Sequence, residues 1–396
     1  MIKKIFLSIA LCFMLIPGKT TWGIETGNTG KYPREVKMIN GVKHVFNPGT
    51  PLKGEITLNL EPSLKIDPEN VKGLEDIIFN YYERDTHGNI YLVDAKSVHI
   101  HKFSADGKYL KSFLQKGSGP GEFEPFPRIN IVDENIWVIG QNKAAKFTLD
   151  GRLVDELKFN NYYRPITIID ANRFVANYEV YDNKDRTDRT FKKYTGLFDI
   201  KSQKCLLNFF EAENPGRVFI PVNDTWMAVV PSPGIIPDII YELDHSNNCL
   251  FISLNGNYEI CQKNLKGETL MVIHKAHTNG ILKESDKKDV IGAFGSVPED
   301  IEKKLIDILP GKLCAIERID MLPSGYLLVK GIRNYHEYSY DIFCSDGVYL
   351  YRLDLSNISS LLAVNFYKQT LAGIVEKEDG NTYYQYKIKS HREIFD

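Results

Sequence analysis

Phe103-Ser-Ala-Asp106-Gly107-Lys-Tyr-Leu110 recurs with changes as Phe147-Thr-Leu-Asp150-Gly151-Arg-Leu-Val154 and as Phe343-Cys-Ser-Asp346-Gly347-Val-Tyr-Leu350. Each copy is an apolar strand end, an Asp-Gly turn and an apolar strand start. Asp-Gly supplies the positive φ values that a tight hairpin requires. Two degenerate copies, Phe198-Asp-Ile-Lys-Ser-Gln-Lys-Cys-Leu206 and Tyr241-Glu-Leu-Asp-His-Ser-Asn-Asn-Cys-Leu250, keep the aromatic, the polar turn and the apolar restart. The turns stand about 44, 52, 44 and 100 residues apart, near the repeat length of a propeller blade except at one gap.

Two more short apolar segments precede each turn. The first unit reads Leu74–Asp85, Asn89–Asp94, Val98–Ser104 and Tyr109–Gln115, and the second runs from Arg128 to Phe159. Four short strands repeated at this period predict an all-β, six-bladed β-propeller of four-stranded blades. The third to fifth units fall near 163–211, 217–256 and 314–355. The sixth has three strands before the chain ends, so strand 54–60 is expected to supply the fourth and close the ring. The long gap predicts an insertion over about 257–313 with a short helix, opened by a capping box at Ser296-Val-Pro298-Glu299 and stopped at Gly311.

Asn89-Ile-Tyr-Leu-Val-Asp94, His99-Ile-His-Lys-Phe103, Asp106-Gly-Lys-Tyr-Leu110 and Gly117-Ser-Gly-Pro-Gly-Glu-Phe123 resemble the NHL-repeat consensus. Within that group the chain is most similar to bacterial secreted six-bladed β-propeller proteins. The resemblance implies the fold and a binding or interaction role. It brings no settled catalytic set. Enzymatic relatives include metal-dependent lyases of peptide amidation, which use histidines and a metal at the propeller centre, and no such set is found here.

Of the 396 residues, 43% are hydrophobic and 12% aromatic, and the net charge is −2, which predicts neither bulk nucleic-acid binding nor attraction to an anionic membrane. Residues 1–23 read as a secretory signal: Lys3 and Lys4, an apolar run from Ile5 to Ile16, then Pro17-Gly18 and Thr21-Trp22-Gly23. The run is too short to span a bilayer, and no other segment predicts a span. The expected organisation is an N-terminal extension 24–52, a propeller 53–390 and a tail 391–396. The expected location is periplasmic or extracellular, as a monomer. Five cysteines remain after the leader, read as small buried hydrophobes, with Cys249 and Cys261 the nearest candidates for a bond.

Few motifs carry chemistry. His99 and His101 share a strand face, without a third ligand at telling spacing, and read as a solvated face rather than a metal site. Asp182–Asp188 lacks the glycine and terminal Glu of a calcium loop. Gly117–Gly121 lacks the ending of a phosphate loop and reads as a blade connector. No nucleophile motif is found, so no catalytic residue, metal or cofactor is assigned.

Loop lengths say more. The long excursions, 116–127, 181–193, 231–237, 257–313 and 333–337, fall at one end of the ring, where second-to-third-strand loops and blade connectors lie. Binding residues concentrate in such loops. Arg128, Arg164, Arg217 and Arg318 stand at or near the starts of first strands, which line the channel and open on that end. Four guanidiniums there would need an anion or local acids to offset their repulsion. The first and sixth units have no matching Arg, so any ring is partial. Tyr163, Arg333 and His336 complete the candidate set for a protein, peptide or anionic small-molecule ligand. The alternative is a propeller enzyme, a lyase or hydrolase acting on peptide or carbohydrate.

Overall fold

The computed structural model describes residues 35–74, 79–94, 96–181, 191–213, 215–222, 225–229, 234–293, 295, 297–358, 361–376 and 381–395. The leader, the 182–188 loop, the Asp224 turn and Ser296 lie outside the described residues. Six antiparallel four-stranded sheets form the blades. Blade 1 is Phe79–Arg84, Ile90–Asp94, His99–Phe103 and Tyr109–Phe113, and blade 2 is Arg128–Val132, Asn135–Ile139, Lys143–Thr148 and Leu153–Lys158. Blade 3 is Tyr163–Ile168, Arg173–Tyr181, Phe191–Asp199 and Cys205–Glu213, and blade 4 is Ile239–Asp244, Cys249–Leu254, Glu259–Asn264 and Thr269–Lys275. Blade 5 is Ile316–Met321, Leu327–Asn334, Glu337–Phe343 and Tyr349–Asp354. Blade 6 joins Leu361–Tyr367, Thr370–Val375 and Thr382–Ile388 to the N-terminal strand Leu60–Ile66. The repeated Asp-Gly turns work as expected: Gly107, Gly151 and Gly347 hold φ of +85°, +76° and +81°.

The core is divided among the seams. Six apolar clusters each join neighbouring blades, and a seventh serves the helical insertion. Tyrosine hydroxyls stitch the seams. Tyr91 donates to the Leu149 carbonyl of blade 2, and Tyr241 to the Pro165 and Val175 carbonyls of blade 3. Tyr82 of blade 1 donates to the Ala372 carbonyl and accepts from the Asn365 amide of blade 6, locking the ring where its ends meet. The high aromatic content thus has a use: each ring buries area while its hydroxyl satisfies a backbone group on the next blade.

Four sequence expectations change. The closing strand is Leu60–Ile66, not 54–60. Pro62 argues against a strand by pattern, yet an outermost strand keeps one edge unpaired and tolerates it. Glu55–Thr57 instead adds parallel to Tyr349–Asp354 of blade 5. The expected N-terminal extension holds a hairpin, Glu35–Ile39 and Val42–Asn47, whose second strand lies parallel on Thr269–Lys275 of blade 4. The N-terminal segment is therefore a strap over the outer edges of blades 4, 5 and 6, covering edges that would otherwise recruit other strands. Blade 4 begins at Ile239. The turn near 246 is its first hairpin rather than its last, so part of the expected insertion, 259–275, belongs to the blade. Val218–Val222 and Thr225–Val229 form a separate hairpin in the connector.

The remaining insertion has two helices, α1 (Glu284–Gly292) and α2 (Glu299–Ile308). Leu282, Val290, Ile291, Ile301 and Leu305 bury a small core against Ile332 of blade 5. Pro298 occupies the N-cap of α2 without a side-chain cap bond, and Ser296 of the expected capping box lies outside the described residues. The five cysteines beyond the leader are free thiols, with Cys249 and Cys314 buried. No helix of the described residues is long and apolar enough to cross a membrane.

Candidate functional site: the channel and its mouth

First strands run from the long-loop end of the ring inward, so position along the strand sets depth in the channel. Arg128 is the first residue of its strand, Arg164 the second and Arg318 the third. Arg128 and Arg164 are exposed, and among the described residues no carboxylate lies within salt-bridge distance of either. Each lies near an aromatic ring: Arg128 is 5.8 Å from the Tyr81 ring centre, and Arg164 is 5.3 Å from that of Tyr162. A guanidinium over a ring face is held by the ring quadrupole while its fork stays open to a ligand.

The residues just before these arginines are as informative. Phe126 is 66% exposed and Tyr162 is 51% exposed, both on blade connectors at the mouth. Phe126 also holds φ of +68°, a region that costs a bulky residue energy and that persists only where the surroundings enforce it. The enforcement is visible. Lys143 and Glu156 form a largely buried ion pair at 2.9 Å. Lys143 also donates to the Gly119 carbonyl, and Glu156 accepts from the Gly121 amide, which pins the connector ahead of Phe126. The glycine-rich 117–121 stretch is thus the expected connector, and its packing against blade 2 sets up the mouth.

The other candidates are placed differently. Arg318 ion-pairs with Asp320 at 2.7 Å and donates to the Val364 carbonyl, tying blade 5 to blade 6. Arg217 precedes the 218–229 hairpin rather than a blade strand. It pairs with Glu179, donates to the Tyr181 hydroxyl and packs over Phe191, away from the first strands. Tyr163 is buried among Phe159, Phe174 and Phe198. Strand alternation puts it in the core and leaves its neighbour Tyr162 outside. His336 holds φ of +63° at a hairpin tip, its ring against Tyr335. Arg333 lines a cleft between blades 4 and 5, outside the channel. His101 is buried, with Nδ1 bonded to Ser112, so its strand face is not solvated as expected. No group of three or more His, Cys, Asp or Glu suited to a metal occurs among the described residues.

Sequence reading missed the deeper channel. Glu83, Glu242 and Asp320 line a cavity of about 190 Å³ with Asn365 and Tyr367. All three come late in their first strands, toward the short-turn end. Each is only half-buried by its own exposure, yet the surrounding channel wall strips it of water. That desolvation pushes Glu83 up to about 7 and Glu242 up to about 8, the latter helped by the charge of Asp320. Asp320 is raised too, by the same burial, against the pull of Arg318. The channel is therefore polarised, with arginines at the long-loop mouth and carboxyls toward the far end. Alternating residues in a first strand signal which side chains face a channel, but not their depth in the assembled ring.

A family described as "6-bladed beta-propeller" matches residues 83–231. No curated protein matches the sequence. Among solved structures the chain is similar to a protein of Bacteroides fragilis described as exported, at 13% identity and TM-score 0.51, covering 87% of this chain and 100% of that one. A member of the DUF4221 family from Bacteroides vulgatus has 11% identity and TM-score 0.49, covering 84% and 98%. Virginiamycin B lyase from Staphylococcus aureus has 12% identity and TM-score 0.39, covering 84% and 100%. The likeness to the Bacteroides fragilis protein bears on the fold alone.

Proposed function

We propose that the protein is an exported binding module that takes an anionic ligand at the channel mouth between blades 2 and 3. The reading rests on one observation: two exposed arginines, Arg128 and Arg164, each follow an exposed aromatic on a connector, one of them in a strained backbone. An aromatic face beside an open guanidinium suits a ligand that carries a carboxylate or phosphate next to a ring or apolar segment, such as an acidic peptide. Arg217 and Arg318, already paired, hold structure. Export rests on the leader reading of residues 1–23, and N-terminal sequencing of the mature protein checks it; an intact Met1 would refute it.

The test compares the parent with an Arg128→Ala/Arg164→Ala variant by thermal shift in citrate, inorganic phosphate and polyglutamate. The parent is stabilised and the variant is not. The effect fades as salt rises beyond about 0.1 M, where exposed charges are screened over about 10 Å. A parent that no anion stabilises, or a variant that responds as the parent does, ends this reading.

A second reading, a propeller hydrolase or lyase, is favoured by Glu83 and Glu242. Carboxyls that titrate near neutrality suit proton transfer. Turnover of a peptide or glycan that survives loss of both mouth arginines, but not Glu242→Gln, would select it.

A further inference from the structure

A second built cavity opens at the long-loop end, outward of the channel, in the seam between blades 4 and 5. Its volume is about 540 Å³, within the range of about 300–1,000 Å³ usual for small-molecule sites. Lys275 and His277 come from blade 4 and its exit, Arg333, Ser339 and Arg352 from blade 5, and Gly49 from the N-terminal strap.

The cavity holds more positive charge than its own acids offset. Asp341 is the buried carboxylate beside it, and its oxygens are already engaged. They take hydrogen bonds from Lys275 at 2.7 Å, Tyr258 at 2.7 Å, Tyr349 at 2.5 Å and Ser339 at 3.3 Å. Lys275 is fixed further between the Tyr258 and Tyr349 rings, at 4.3 and 5.0 Å. Arg352 receives less. It donates to the Gly49 carbonyl at 3.2 Å, and its Nε faces Asp341 at 3.6 Å, an ion-pair distance too long for a hydrogen bond, and has no hydrogen-bond partner. Among the described residues the Arg333 guanidinium has one carboxylate in reach, Glu337, at 4.0 Å on the exposed edge. Two guanidiniums thus face the cavity with donors to spare.

His277 adds a different valence. Its Nε2 is also buried without a hydrogen-bond partner among the described residues. Burial and the neighbouring Lys275 lower its pKa, which favours the neutral ring. A neutral imidazole carries one ring proton, so an unpaired Nε2 can serve a ligand hydroxyl as acceptor or donor. Buried polar atoms left unmatched cost free energy unless a ligand or water pairs with them. The cavity therefore offers guanidinium donors for an oxyanion and, beside them, an unpaired imidazole nitrogen for a hydroxyl.

We propose that this seam is a binding site for an acidic saccharide. Its carboxylate or sulfate is held by Arg333 and Arg352, and one of its hydroxyls hydrogen-bonds to His277. This site is separate from the channel mouth.

Calorimetric titration tests it with digalacturonate and glucosamine 6-sulfate, against neutral glucose and inorganic phosphate. An acidic sugar binds, glucose does not, and the two acidic probes show which oxyanion is preferred. Arg333→Ala and His277→Ala each weaken binding at least about tenfold, the effect of losing one charged or buried hydrogen-bond partner. The titrations are repeated in an Arg128→Ala/Arg164→Ala background, so that anion bound at the channel mouth is not counted, and the seam still binds the sugar there. Arg333 lies on the cavity rim, so its variant carries the test if His277→Ala fails to fold. Failure of both sugars to bind, binding of phosphate alone, or unchanged binding in Arg333→Ala overturns the site. Loss of sugar binding only in the mouth variant moves the ligand to the channel and overturns it as well.

Discussion

The seam between blades 1 and 2 and the seam between blades 4 and 5 solve one packing problem in different ways. The first is closed by Val93, Val98, Ile100, Ile129, Ile136, Val138 and Phe147. Its charges are paired toward open edges: Lys102 reaches an Asp150 side chain that is 79% exposed, and Lys143 pairs with Glu156 under the connector, where the two keep 8% and 17% exposure. The second also has an apolar centre, but it buries an ion pair: the side chains of Lys275 and Asp341 are 3% and 0% exposed. A buried pair seldom stabilises more than an apolar replacement would, because desolvation offsets the attraction. Both seams thus carry paired charge, but only the second places a pair in full burial, beside a cavity and under the strap.

The sharpest break of this comparison is Asp341→Ala. It leaves Lys275 and Arg352 buried without their carboxylate, and about 3–5 kcal/mol of stability is lost. Asp150→Ala at the first seam costs within the scatter of surface substitutions. Urea unfolding of the two variants decides it. Equal losses would mean that the seams do not differ as described.

The channel extends the contrast to pH. At Asp341, burial alone would raise the pKa, but Lys275 and the hydroxyl donors more than offset it, so the group is lowered. A lowered acid contributes stability that is present above its unfolded pKa and lost as pH falls through the folded value. Glu83 and Glu242 are raised, so the sign reverses. The folded protein binds more protons than the unfolded chain between about 4.5 and 8, and stability falls as pH rises through that window. Glu83→Gln and Glu242→Gln should each stabilise the protein at pH 8 by up to about 3 kcal/mol and leave it unchanged at pH 4. Melting temperatures at the two pH values measure this. A gain at pH 4 equal to that at pH 8 would exclude titration as the cause.

The smallest of these effects concerns the strap. Asn47, 5% exposed, donates to the His274 carbonyl of blade 4 and the Gly347 carbonyl of blade 5, and accepts from the Tyr349 amide. Asn47→Ala strands three backbone groups and should cost about 2 kcal/mol. Amide exchange should rise at Tyr349 while the seam of blades 1 and 2 stays protected. Uniform acceleration around the ring would show that the strap acts on the whole propeller rather than on one seam.

The legible parts of the sequence were those written locally. The Asp-Gly turns after Phe103, Phe147 and Phe343, and the strands around them, specify hairpins by their own dihedral needs. Blades 1, 2, 3 and 5 follow directly. Blade 4 was misread because Tyr241–Leu250 resembles a last hairpin and is a first one. Strand patterns repeat with period two and carry no mark of rank within a sheet. The same limit hid Leu60–Ile66 behind Pro62, since only its outermost place makes that proline acceptable. At the mouth, spacing found Arg128 and Arg164 but could not separate them from Arg217, whose partner Glu179 is distant in sequence, while Asp320, two residues beyond Arg318, was within reach of a local reading.

Composition and turn chemistry by themselves determined that this chain is built from repeated four-stranded sheets, because those depend on neighbours a few residues apart. The tertiary structure alone decided which strands of the N-terminal segment serve which blade, which arginines keep an open fork, and that Lys275, His277, Arg333 and Arg352 meet around one cavity. Those outcomes depend on ring closure, which brings together side chains from separate blades and sets how much water each retains. Charge, pKa and hydrogen-bond valence follow from that water, and no local pattern encodes it.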